Sequence, residues 1–168
     1  TETATPTPSP VPVPGGPNDP VGFITAITVP GNPILSGTKS WIDNNKYYLT
    51  DPSNAGVDVI DAKTYKYLGR IPGFVGTGAN AANSGPNAIV FTGDGHAWVS
   101  DGISVVRVVD VASNAIIATI NTALPACDNG TVHNCQRTNE IDWDPEHKIV
   151  FVQNPSPLDP AGNAIDTY

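Results

Sequence analysis

The sequence predicts an all-β fold made from a repeated unit of four short antiparallel strands. Three observations lead there. The chain is rich in residues that favour strands and turns and poor in helix formers, it repeats with a period near 50 residues, and its apolar runs are short and bounded by turn residues.

The 168 residues suffice for one domain with a real core. Lys and Arg number 8 and Asp and Glu 16, so the formal net charge is −8. Such a surface repels phosphate backbones and argues against nucleic-acid binding. Charged residues make up only 14%, well below the usual quarter. Thr, Ser, Asn and Gly supply the polarity. The sequence has no run of apolar residues long enough for a membrane-spanning helix, and no uncleaved signal peptide is legible. It contains no Met and starts at Thr1, as a processed secreted chain would.

Residues 1–20 form a Pro-rich tail, with seven prolines among them. Alternating Pro removes backbone donors and holds φ near the polyproline II value. The segment reads as a semi-rigid spacer or linker, and its Thr and Ser residues could carry O-glycans.

The repeat occupies residues 21–168. Trp41-Ile-Asp-Asn-Asn-Lys-Tyr-Tyr-Leu-Thr-Asp51 aligns with Phe91-Thr-Gly-Asp-Gly-His-Ala-Trp-Val-Ser-Asp101. A third copy, one residue longer, runs from Trp143 to Asn154. Each has two apolar runs around an Asn-, Gly-, Asp- or Pro-rich turn, the pattern of a β-hairpin. A second hairpin follows in each of the first two copies. Gly56–Thr64 matches Ser104–Ser113, and Tyr67–Ile71 matches Ile116–Ile120, at an offset of 49. Asp61 and Asp110 open its turns, where a side-chain oxygen can bond N–H groups two residues on. The expected units are an outer strand at 23–31, blades at 38–71 and 87–120, and a half blade at 139–154.

These hairpins, with segments such as YYLTD, VDVIDAKT and LGRI, resemble the YVTN/NHL-like β-propeller repeats. The resemblance implies a secreted propeller of four-stranded blades and no particular function. About two and a half blades are legible, too few to close a ring. The resemblance therefore implies completion by a missing C-terminal half or by self-association.

Cys127 and Cys135 lie eight positions apart in the turn-rich stretch ACDNGTVHNCQR. They read as a local disulfide, which places the protein in an oxidising, extracellular compartment. Asn129 heads a sequon in the same loop. The linkers between blades lengthen along the chain. Linkers 72–86 and 121–138, with 154–164, are expected to form a ligand- or partner-binding rim.

Candidate binding residues are Asp51, Asp101 and Asn154, which end the second strand of each copy, and His133 in the disulfide loop. Converging oxygens at the recurrent position could bind Ca²⁺ or sugar hydroxyls; the alternative is that each caps a local turn. No cofactor is expected otherwise. His96 and His147 fall in hairpin turns and read as turn chemistry. Asp142 and Asp144 flank Trp143, either as acid/base groups or as a solvated face. The series Trp41, Phe91, Trp143 and Tyr48, Trp98, Phe151 reads as inter-blade core. The functional expectation is an extracellular binding or scaffold module for a protein or glycan. The competing reading is a metal-dependent hydrolase or lactonase with its site in the central channel.

Overall fold

A computed structural model describes residues 24–35, 39–78, 83–123, 136–158 and 164–167, the side chains from residue 155 onward excepted. The chain is all-β. Strands β1 (Ser40–Asp43), β2 (Lys46–Asp51), β3 (Gly56–Asp61) and β4 (Lys66–Pro72) form one antiparallel sheet in sequential order. Strands β5 (Ala88–Phe91), β6 (His96–Asp101), β7 (Val105–Asp110) and β8 (Ala115–Asn121) form a second of the same topology. β9 (Ile141–Asp144) pairs with β10 (Ile149–Val152), and β11 (Asn154–Leu158) pairs with β12 (Ala164–Thr167).

The sheets pack face to face as successive propeller blades. Tyr48, Val57, Val59 and Ile71 of the first meet Ile89, Phe91, Ala97, Val99 and Val109 of the second in one apolar cluster. The other face of the second, with Ala88, Val90 and Val106, meets Ile141, Trp143, Val150 and Val152. Both faces of β5 are therefore covered, and its four residues are all buried. An antiparallel strand covered on both faces reads as a continuous apolar run, here AIVF, and not as an alternation.

Each blade thus has a face toward the preceding blade and a face toward the following one. Ladder register shows which residue belongs to which. Trp41 pairs with Tyr48, whereas Phe91 pairs with Ala97 and Val90 with Trp98. Trp41 and Phe91 therefore do not occupy equivalent positions. The first hairpin closes on Asn44 and Asn45 alone, both at positive φ. The second has a longer turn, which shifts the pairing by one residue, and a one-residue slip reverses the face of a side chain. Trp41 faces forward and stacks on Phe91 of the next blade at 6.4 Å between centroids. The aligned aromatics are contact partners. Phe91 and Trp143 do share a position, each facing the preceding blade.

Two further expectations are corrected. Residues 24–31, expected as an outer strand, belong to no ladder among the described residues. Side chains hold them instead: Arg70 Nη2 donates to the Pro30 carbonyl at 3.0 Å, and Asn32, just past the stretch, exchanges hydrogen bonds with Asn54. The stretch 154–164, expected as a rim loop, begins with strand β11. After β10 the chain runs into a separate two-stranded sheet and does not fold back against β10 as β3 does against β2.

The outermost strands carry a repeated irregularity. The ladder slips between Val59 and Ile60 and again between Val108 and Val109. Leu68 and Ile117 bulge out and are exposed. A bulge twists an edge strand and makes it a poor template for pairing with another chain.

Candidate functional site

The recurrent polar position is the most structured polar feature among the described residues; Asp51 and Asp101 end β2 and β6, whereas Asn154, expected to end the second strand of its copy, opens β11. Asp51 and Asp101 are fully buried, and Asn154 is 3% exposed. Asp101 and Asn154 grip the chain that leaves the blade before them, whereas Asp51 caps the turn after β2, where it accepts from the Asn54 N–H at 3.2 Å. Asp101 accepts from the Val75 N–H at 3.2 Å, just past the end of β4. Asn154 Nδ2 donates to the Thr122 carbonyl, just past β8, and Asn154 Oδ1 accepts from Ser104. Asp51 reaches the 30–32 segment through Arg70 and Asn54.

The residue just before it does the complementary task. Thr50 Oγ1 lies 3.0 Å from the Asn87 carbonyl, where the next blade begins. Ser100 Oγ bonds the Asn139 carbonyl at 2.7 Å, where the third blade begins. The dipeptides Thr50-Asp51 and Ser100-Asp101 are thus inter-blade latches. In both the hydroxyl ties the blade ahead, and in the second the Asp also ties the chain leaving the blade behind.

The buried carboxylates are compensated by arginines, in two different ways. In the first blade Arg70 on β4 donates through Nε to Asp58 at 2.8 Å and through Nη2 to Asp51 at 3.2 Å. In the second, Arg107 on β7 donates to Asp101 at 3.2 Å and to Thr119 at 2.6 Å. The offset of 49 sets Asp58 over Arg107 and Arg70 over Thr119. Both blades keep one arginine against the recurrent Asp, but it comes from neighbouring strands. Sequence reasoning passed over Asp58, Arg70 and Arg107. Their signal was a charge inside an apolar third strand, GVDVID and VVRVVD, where only a paired charge is tolerated.

Burial pushes the Asp58 carboxyl above its ordinary range, Arg70 draws it down, and Asp51 adds to the rise. Its Oδ2 has no hydrogen-bond partner. Burial also raises Asp101, against the Gly102 and Val75 N–H groups and Arg107.

The turn-capping alternative is met at Asp51, which accepts from the Asn54 N–H, and at Asp101, which accepts from the Gly102 N–H. No hydrogen bond among the described residues joins Asp51, Asp101 and Asn154 to one another. Their oxygens are spent on backbone and arginine, and no cluster of three or more His, Cys, Asp or Glu among the described residues could hold a metal. His133, Cys127, Cys135 and Asn129 lie outside the described residues.

His96, His147 and Asp144 serve turns. His96 Nδ1 is 3.1 Å from Asp94, and His147 Nδ1 is 2.7 Å from Asp144. Hydrogen bonds from Thr92 and His96 hold the Asp94 carboxyl down at about 2. Asp144 also accepts from the Glu146 and His147 N–H groups, whereas Asp142 bonds the adjacent Trp143 N–H. The two do not act as a pair.

The described ends of both long linkers, 72–78 with 83–86 and 121–123 with 136–138, lie at the end of the blades where Asp101 sits. Linker 72–86 is braced at its base. Gly76 and Gly85 exchange two backbone hydrogen bonds, and Gly78 N–H bonds Ser84 Oγ. Thr138, at the end of linker 121–138, is buried and exchanges hydrogen bonds with the Asp101 backbone.

These sheets and latches define an array of β-propeller blades. No protein-family model matches the chain, and no curated protein matches it, so the resemblance to YVTN/NHL-like repeats stays at the level of fold. Among solved structures the chain is similar to dihydro-heme d1 dehydrogenase NirN in complex with DHE, at a TM-score of 0.46 and 12% identity. The match covers 79% of this chain and 27% of that one. The blade assignment rests on this chain's own strand order and packing.

Proposed function

We propose that this chain is an extracellular β-propeller module that binds or scaffolds a protein or glycan at the rim carrying linkers 72–86 and 121–138. The observation that supports it is the contrast between the two ends of the blades. At one end the hairpin turns are short and satisfied by their own Asp side chains. At the other, long linkers leave braced bases. A loop held at its base on a rigid sheet can present side chains with little loss of order on binding. The disulfide read at Cys127 and Cys135 and the sequon at Asn129 belong to the same reading, as does the Pro-rich tail as a spacer. The competing hydrolase needs oxygens free for a metal, and Asp51 and Asp101 are each already bonded to an arginine.

The test replaces residues 77–84 with a short Gly linker and compares both proteins on an array of glycans and secreted-protein ectodomains. The expected result is a wild-type signal that the variant loses while its melting temperature stays close to wild type. Binding that survives the exchange moves the site off this rim. No binding by the wild type overturns the proposal.

A further inference from the structure

We propose that Asp51 and Asp58 hold one proton between them, and that this shared proton keeps residues 30–32 clasped to the first blade and releases them as pH rises. The first blade buries one carboxyl more than its arginine offsets. Asp51 and Asp58 are both 0% exposed. Arg70 bonds both, through Nη2 at 3.2 Å and through Nε at 2.8 Å. The second blade is built differently, because Arg107 stands at the position of Asp58 and Thr119 at that of Arg70. It sets one carboxylate, Asp101, against one arginine, and both Asp101 oxygens have partners. In the first blade Asp58 Oδ1 accepts from Arg70 and from the Tyr67 hydroxyl, while Asp58 Oδ2 is buried without a partner.

Two ionised carboxylates on one guanidinium, out of water, repel each other, and a buried oxygen without a donor is unfavourable. One proton removes both costs. Placed on Asp58 Oδ2 and donated to Asp51, it leaves a single negative charge beside Arg70 and gives the unpartnered oxygen its hydrogen bond. Asp51 is the acceptor of the pair, since its two oxygens already receive the Asn54 N–H and the Asn54 Nδ2. Burial moves Asp58 upward against Arg70, and Asp51 adds to the rise. The ionisable groups facing Asp58 are Asp51 from β2 and Arg70 and Tyr67 from β4; residues 24–35 and 52–55 carry none. Residues of this chain already enclose both carboxyls, so the pairing does not depend on further blades on either side. The same cluster holds the segment before the blade. Arg70 Nη2 also donates to the Pro30 carbonyl, and Asn54 exchanges hydrogen bonds with Asn32. Once the proton is lost, the two carboxylates push apart across Arg70, and the bonds through Arg70 and Asn54 to residues 30–32 weaken.

Carboxyl carbon-13 titration of the 168-residue chain, with each resonance assigned through its own Cβ, tests the proton. At about pH 6, about two units above an ordinary Asp, Asp58 is expected to be still protonated. An Asp58 carboxyl fully ionised at that pH overturns the proposal, and this measurement needs no variant. Hydrogen exchange at the Asn32 N–H, compared with Asp58→Asn at each pH, tests the clasp. The amide donates to Asp51 and accepts from Arg70 at every pH, so the variant lacks the switch. The ratio of wild-type to variant exchange should rise by up to about tenfold per pH unit from about pH 4 until Asp58 has titrated, and then level off. A ratio that stays constant overturns the release. Asp51→Asn turns a donor toward the Asn54 N–H groups and should lower the melting temperature far more than Asp58→Asn. Equal losses overturn the placement of the proton on Asp58.

Discussion

Asp58 shows what a single charge costs in this fold. It is fully buried in the middle of β3, and Arg70 is the cation that bonds it and Asp51 together. Removing one partner of a buried ion pair leaves an uncompensated charge. Arg70→Met is therefore expected to lower the unfolding free energy by about 3 kcal/mol, read from urea midpoints. The exposed turn carboxylates act differently. Asp94 is held down at about 2 and Asp144 below its ordinary range. A group whose folded pKa is depressed contributes stability above its unfolded pKa and loses it as pH falls through the folded value. Asp94→Asn should flatten the acid limb of the stability curve between about pH 4 and about pH 2, with little change at neutral pH beyond the lost turn bonds. Asp58 and Asp101 run the other way, because their folded pKa is raised: their contribution is present in acid and lost as pH rises through it.

At the scale of elements, turns and latches decide how strands become blades. Asn44 and Asn45 both adopt left-handed backbone, with φ of 45° and 60°. That is the two-residue turn whose twist matches the flanking strands, and Gly takes its second position with least strain. Asn45→Gly is expected to raise stability by about 0.5 kcal/mol, seen as a higher thermal midpoint. The latches act between elements. Ser100 Oγ accepts from the Ala88 N–H and donates to the Asn139 carbonyl. Ser100→Ala leaves buried backbone groups short of a partner, so the loss should be about 1–3 kcal/mol. Hydrogen exchange should locate it at β5 and at residue 139, and protection there unchanged from wild type would refute the latch.

For the whole molecule, the series of faces matters more than any one contact. Each blade is covered by its neighbours, while Ile42 at one end and Phe151 at the other are left exposed. The loop between Cys127 and Cys135 belongs to this scale too, because it joins the second blade to the third. If the pair is bridged, closing a loop of this length restricts the unfolded chain, and the double change Cys127→Ser with Cys135→Ser should cost about 2.5 kcal/mol. Thiol alkylation before and after reduction checks the bridge directly. Labelling without reduction would show free thiols and remove the main support for an oxidising compartment.

The composition, the 49-residue offset and the turn residues were enough to read an all-β repeat of four-stranded antiparallel units. Local chemistry carries that information: strand periodicity and Asp-led turns act over a few residues. Asp61, for instance, bonds the Lys63 and Thr64 N–H groups as its position requires. The tertiary structure decided the rest. Trp41 aligns with Phe91 letter for letter, yet a one-residue difference in turn length puts them on opposite faces, where they meet. Asp101 grips the chain past β4, and Asp51 caps its own turn and bonds Arg70, contacts that the alignment of the repeats does not show. Their partners, Val75 and Arg70, stand far away in sequence, and only packing brings them to the same strand end. A residue's surroundings are long-range, and repetition in sequence reports that a position matters to the blade without saying whether it turns inward to its neighbours or outward to a partner.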